Sequence, residues 1–180
     1  MISKRLGLIA LVGQLACGSV AHAQSQSWDK VLAASRRFVV LDAFGGEAVL
    51  DKETGLVWQR TLGRGGVLDA DDRRNWFGAH NQCVTQQTGN RRGWRLPTIQ
   101  ELATLTDPSM EFPNLVLPEG HPFILMTVGE PPTFWSASTD ASIPTVARII
   151  HFNSGNPLRL AKDGFAFIWC VRGGQGVDPQ

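Results

Sequence analysis

The 180-residue sequence predicts an α+β domain closed by one disulfide, on three observations. Short apolar runs separated by glycine turns come first, two helical patterns occupy the middle, and extended runs return at the end. Cys83 and Cys170 remain once an N-terminal export signal is set aside, and in an oxidising compartment such a pair is more often a bridge than a site. The composition suits one packed core, with 43% hydrophobic residues, six tryptophans and no tyrosine.

Residues 1–23 carry the three-part pattern of a secretory signal peptide. Lys4 and Arg5 precede the apolar stretch from Leu6 to Val12, and Ala21-His22-Ala23 supplies the small-x-small cleavage triplet. The stretch is broken at Gln14 and falls short of the roughly 20 apolar residues a bilayer core needs, and no later run comes closer, so no transmembrane segment is predicted. Leu15-Ala16-Cys17 competes as a lipoprotein signal. Gln14 stands where that signal wants leucine, which favours cleavage after Ala23 and removal of Cys17 over lipidation. The expected product is exported, to the periplasm or the medium.

Residues 24–37 read as a polar lead-in, loosely packed, with a helical turn over 28–34. Strands follow over 38–41, 48–51 and 56–59, divided by Gly45-Gly46 and by Lys52-Glu53-Thr54-Gly55, both turns of hairpin length. After a glycine loop at Gly63, Gly65 and Gly66, residues Trp76, Ala79, His80, Cys83 and Val84 fall on one helix face, with Asp71 or Asp72 as N-cap. His80 on that face reads as a packed histidine. A shorter helix begins at Thr98, whose hydroxyl caps it while Glu101 reaches back, with Pro97 just ahead and Ile99, Leu102 and Leu105 facing the core. Residues 110–132 are rich in proline and glycine and read as irregular loop. Strands over 133–137, 146–152, 158–161 and 165–172 complete the domain, so that first and last strands meet, and 175–180 is a tail.

Five segments stand in a recognisable order: Thr54-Gly55-Leu56-Val57-Trp58-Gln59, Gly93-Trp94-Arg95-Leu96-Pro97-Thr98, Glu101-Leu102, Phe134-Trp135-Ser136-Ala137-Ser138 and Cys170-Val171-Arg172-Gly173-Gly174. On these the chain resembles the Legionella collagen-like protein C-terminal domain family over residues 38–174, a branch of the C-type-lectin-like and formylglycine-generating-enzyme-like folds. The resemblance implies a C-type-lectin-like fold with two helices and antiparallel β-strands, a disulfide from the first helix to the last strand, and exported or surface proteins of which some bind glycans. The chain departs from the pattern at Ile143-Pro144-Thr145-Val146-Ala147, where relatives carry aromatic-rich stretches, so a sugar-stacking surface is thin here. Formylglycine generation, which in the related fold uses an active-site cysteine pair with copper, is excluded because Cys83 and Cys170 hold the structural positions.

Trp58, Trp94, Trp135 and Trp169 read as core payloads with their indole N–H groups paired inside. Arg95 and Arg172 suit bidentate anchoring of a buried carboxylate such as Glu101 or Asp51. The candidate contact surface is Arg91 and Arg92 in the loop before Trp94, together with Trp76. A plainer reading has Asp69, Asp71 and Asp72 neutralising that loop. His80, His121 and His151 lack metal-ligand spacing, Asp69-Ala70-Asp71-Asp72 lacks the EF-hand pattern, and no cofactor is identified, with a calcium site from separated loops left open.

Without Lys4 and Arg5, 15 basic residues face 16 acidic ones, too even a balance for a nucleic-acid or membrane-surface protein. The expectation is an exported, non-catalytic binding domain that recognises a polysaccharide or a protein partner at a cell surface or in the periplasm. Two alternatives stand beside it: a hydrolase built on acidic residues and His121 or His151, and a structural component of an exported assembly.

Overall fold

The structure is a computed structural model and describes residues 32–110, 115–127 and 131–174. The expected signal peptide with Cys17, residues 24–31 of the lead-in, the tail and parts of the 110–132 loop lie outside the described residues. In chain order the first elements are α1 (Ala34–Arg37), β1 (Phe38–Val40), β2 (Ala48–Asp51), β3 (Val57–Gln59), β4 (Val67–Leu68), α2 (Trp76–Thr85), β5 (Trp94–Arg95) and α3 (Ile99–Ala103). They are followed by β6 (Met126–Thr127), β7 (Thr133–Thr139), β8 (Val146–His151), β9 (Asn156–Ala161) and β10 (Val171–Arg172). The fold is α+β.

Two antiparallel sheets carry the domain. One has the order β1-β2-β3-β10-β5, so the last strand sits between the early meander and β5, and the two ends of the domain are joined. The other is the meander β7-β8-β9, and β4 pairs with β6 in a short parallel ribbon. Helix α3 starts where its sequence predicts: the Thr98 hydroxyl accepts the Glu101 N–H while the Glu101 carboxylate accepts the Thr98 N–H, satisfying two otherwise orphaned donors.

Several expectations are corrected. The N-cap of α2 is Asn75, which accepts the Gly78 N–H, whereas Asp69 caps a separate 3-10 turn over Ala70–Asp72. On α2 only Ala79 and Cys83 are fully buried, and Val84 is 66% exposed, because the helix lies against the core along one narrow stripe. The expected strand over 165–172 is two residues long. Upstream of it the chain changes partners, Ala166 pairing with Arg74 and Phe167 with Thr133 and Trp135, so it crosses between sheets instead of staying in one ladder. The short pairings β4, β5 and β6 leave too little pattern to be read from sequence.

The lead-in ends inside the structure. Ala34 and Arg37 are buried, and Arg37 makes a bidentate pair with Asp51, Nε to Oδ1 at 2.9 Å and Nη2 to Oδ2 at 2.7 Å. Asp51 therefore belongs to Arg37, not to Arg172.

The core forms two clusters. Trp58, Phe134, Phe152 and Phe123 surround Trp169, with ring centroids 4.9–5.8 Å away, while Trp94 and Trp135 pack with Phe44 and the Cys83–Cys170 disulfide. A buried aromatic of this size removes about 150–250 Å² from water, about 4–6 kcal/mol each before entropy is counted. Of the four core tryptophans, three donate their indole N–H to backbone oxygens, Trp94 to Arg91, Trp135 to Arg74 and Trp169 to Gln59. Trp58 departs from the expected pairing: its Nε1 is buried with no protein partner among the described residues.

Candidate functional site

Gly89 is the pivot of the loop that presents Arg91 and Arg92. It sits at φ +61°, and a β-carbon there would meet the Phe44 Cβ at 2.6 Å, so the loop can close on Phe44 only with glycine at this position. Arg91 and Arg92 are exposed. Arg172 joins them from β10: its Nε donates to the Arg92 carbonyl at 2.8 Å. The guanidinium groups of Arg91 and Arg172 lie 5.7 and 5.9 Å from the Phe44 ring centroid, within cation–π range.

Among the described residues none of these three arginines forms an ion pair. Glu47 reaches the same loop, but its carboxylate accepts the Gly89 N–H at 2.6 Å. The acidic cluster does not neutralise the loop either, since Asp69 and Asp72 exchange backbone and side-chain bonds within their own 3-10 turn. Arg95 stands apart in role: Nη1 and Nη2 reach the two Glu101 oxygens at 2.8 and 2.7 Å, and Nη2 also donates to the Gly173 carbonyl. Burial would raise the Glu101 carboxyl, but hydrogen bonds from Arg95 and Thr98 with the Arg95 charge bring it below its ordinary value. Pro97 is buried, and its carbonyl accepts the Ala137 N–H.

Trp76 is not brought to this loop. It opens α2, whereas Arg91 follows the far end of that helix, whose ten residues rise about 15 Å. Its indole donates to the Ser136 carbonyl, His80 packs against it with ring centroids 4.1 Å apart, and the Lys162 ammonium lies 4.1 Å from its ring centroid. His80 is held below its usual pKa, first by burial and then by the Lys162 charge.

A cleft of about 320 Å³ that no sequence motif foretells is lined by Asp69, Arg73, Thr133, His151, Phe165 and Phe167, with Pro131, Ala70 and Ala166 between them. It draws on four separated stretches of chain, so no local motif announces it. His151 reaches it, but His121 does not; His121 packs beside Phe123, and burial lowers its pKa. The His151 Nδ1 is bonded to Asn153 Oδ1, and among the described residues no hydrogen bond ties His151 to a carboxylate or a hydroxyl, although Asp69 lines the same cleft. No group of three or more His, Cys, Asp or Glu among the described residues is placed to hold a metal ion, and none of their helices is long and apolar enough to cross a membrane.

The family model of the Lcl C-terminal domain matches residues 47–172. None of the curated proteins matches the chain.

Proposed function

The chain belongs to the Lcl C-terminal domain family, and from that premise we propose that it is an exported, non-catalytic interaction domain of C-type-lectin-like fold. The observation that carries this reading is the gathering of Arg91 and Arg172 around Phe44, beside the exposed Arg92, with no carboxylate paired to any of the three among the described residues. Two exposed arginines in one loop and a half-exposed third on β10 offer forked donors that match sulfate and carboxylate oxygens. A polyanionic glycan presents such groups repeatedly along its length. The disulfide supports export, since it persists in oxidising compartments, and the signal peptide 1–23 is the device that would deliver the chain there, to the periplasm or the medium.

The test is a glycan array probed with the mature, oxidised protein, including sulfated and uronic-acid polysaccharides, with and without calcium. Binding that weakens with added salt and is lost in R91Q/R92Q is the expected result. An array left blank by the wild type overturns glycan recognition and leaves the arginine loop to a protein partner.

A further inference from the structure

The cleft between the Ala70–Asp72 turn and strands β7 and β8 carries chemistry that the arginine loop does not. Arg73 and Asp69 both line it, and neither forms an ion pair among the described residues, although they stand only four positions apart. The Arg73 guanidinium lies 5.9 Å from the Phe167 ring centroid, and none of its side-chain donors is bonded among the described residues. Phe167 is itself fixed from two sides, its N–H donating to Thr133 and its carbonyl accepting from Trp135. Asp69 is held by the turn it caps, which orients its carboxylate without neutralising it.

His151 adds a defined acceptor. Asn153 presents an amide oxygen to the His151 Nδ1, which makes that nitrogen the donor and gives Nε2 the acceptor role in the neutral imidazole. Thr133 stands directly across from His151 in the β7–β8 register and contributes a hydroxyl. Phe165, 64% exposed, and Phe167 form the apolar wall. A cleft of about 320 Å³ is at the small end of ligand sites.

We infer that this cleft binds a small zwitterion with an apolar side chain, the chemistry of a free α-amino acid: carboxylate on Arg73, ammonium on Asp69 and the His151 Nε2, side chain against Phe165 and Phe167. A simple anion would meet the Asp69 charge and a simple cation the Arg73 charge. A ligand bearing both signs is the one that uses each and opposes neither. The inference does not rest on glycan recognition, and it shares no residue with the arginine loop.

The probes are L-phenylalanine, 3-phenylpropionate, which lacks the ammonium, and phenethylamine, which lacks the carboxylate, titrated at millimolar concentration by calorimetry or amide chemical shifts. Phenylalanine binds, and each truncated probe binds at least about tenfold more weakly, because a charge-assisted contact is lost. R73Q weakens phenylalanine by a similar factor and does not weaken phenethylamine, which loses the opposing Arg73 charge. D69N weakens phenylalanine and does not weaken 3-phenylpropionate, which loses the opposing Asp69 charge, and asparagine keeps the N-cap, so the turn stays folded. Equal binding of all three probes, or no binding of phenylalanine, overturns the inference. R91Q/R92Q keeps phenylalanine binding and R73Q keeps polysaccharide binding, so the two sites fail independently.

Discussion

Arg37 shows how much one side chain can hold. It is 6% exposed, and besides the two bonds to Asp51 it donates to the Thr104 carbonyl at 2.6 Å and lies 3.2 Å from Glu53. Asp51, fully buried, also accepts from the Glu53 N–H and the Thr54 hydroxyl, so both charges are compensated by geometry that neither partner keeps alone. Arg37→Met is expected to destabilise the protein by about 3–5 kcal/mol, because it strands the Asp51 carboxylate in the core; urea unfolding measures it, and a loss below about 1 kcal/mol would mean that water reaches Asp51. Glu101 gives a pH dependence of defined sign. Its carboxyl titrates below the ordinary range in the folded protein, so its stabilisation is complete above the unfolded value, about 4.3, and disappears as the pH falls through the lower folded value. Glu101→Gln keeps the capping reach and removes the charge. The variant's thermal midpoint should therefore fall less steeply than the wild type's between neutral and acid pH, and parallel curves would contradict the assignment. His80 and His121, also lowered by burial, act with the same sign nearer pH 6.5.

The arginine loop stands on its supporting turn. Gly89→Ala places a β-carbon at positive φ and against Phe44 together, and the expected cost is roughly 1–3 kcal/mol. Because the strain falls on the contact between the Asp42–Phe44 and Thr88–Asn90 turns, polysaccharide binding should drop further than the stability loss alone explains. Binding and denaturation measured on the same preparation separate the two. Elements with a full local signal were legible in the sequence: α3 through its capping box, β2 through its hairpin turns, and the buried face of α2 at Ala79 and Cys83. Elements set by distant partners were not. Asn75 caps α2 where two aspartates looked equally fit, and residues 165–170 read as strand because apolar alternation cannot show a chain changing sheets. The candidate site divides the same way. Arg91 and Arg92 are consecutive and visible, but Arg172 reaches them from 80 positions away, and the cleft residues meet only through β7–β8 pairing and the crossing at Ala166 and Phe167.

At the scale of the whole molecule the question is what joins the first half of the chain to the last. The family match begins at residue 47, yet β1 pairs with β2 and Arg37 with Asp51, so the cooperative unit extends upstream of the matched segment. The strongest tie is the disulfide. It links Cys83 on α2 to Cys170 just before β10, across 87 positions, and both cysteines lie in the cluster that holds Trp94 and Trp135. Closing a loop of that length lowers the entropy of the unfolded chain by an amount worth about 4–5 kcal/mol. Replacing both cysteines by alanine is therefore expected to lower the unfolding free energy by nearly that much, with a small addition from lost packing. The core that remains keeps its Trp58–Trp169 cluster untouched, so the variant should still fold, through one transition at a lower denaturant midpoint. Two resolved transitions would instead show that the bridge is what couples α2 to the five-stranded sheet.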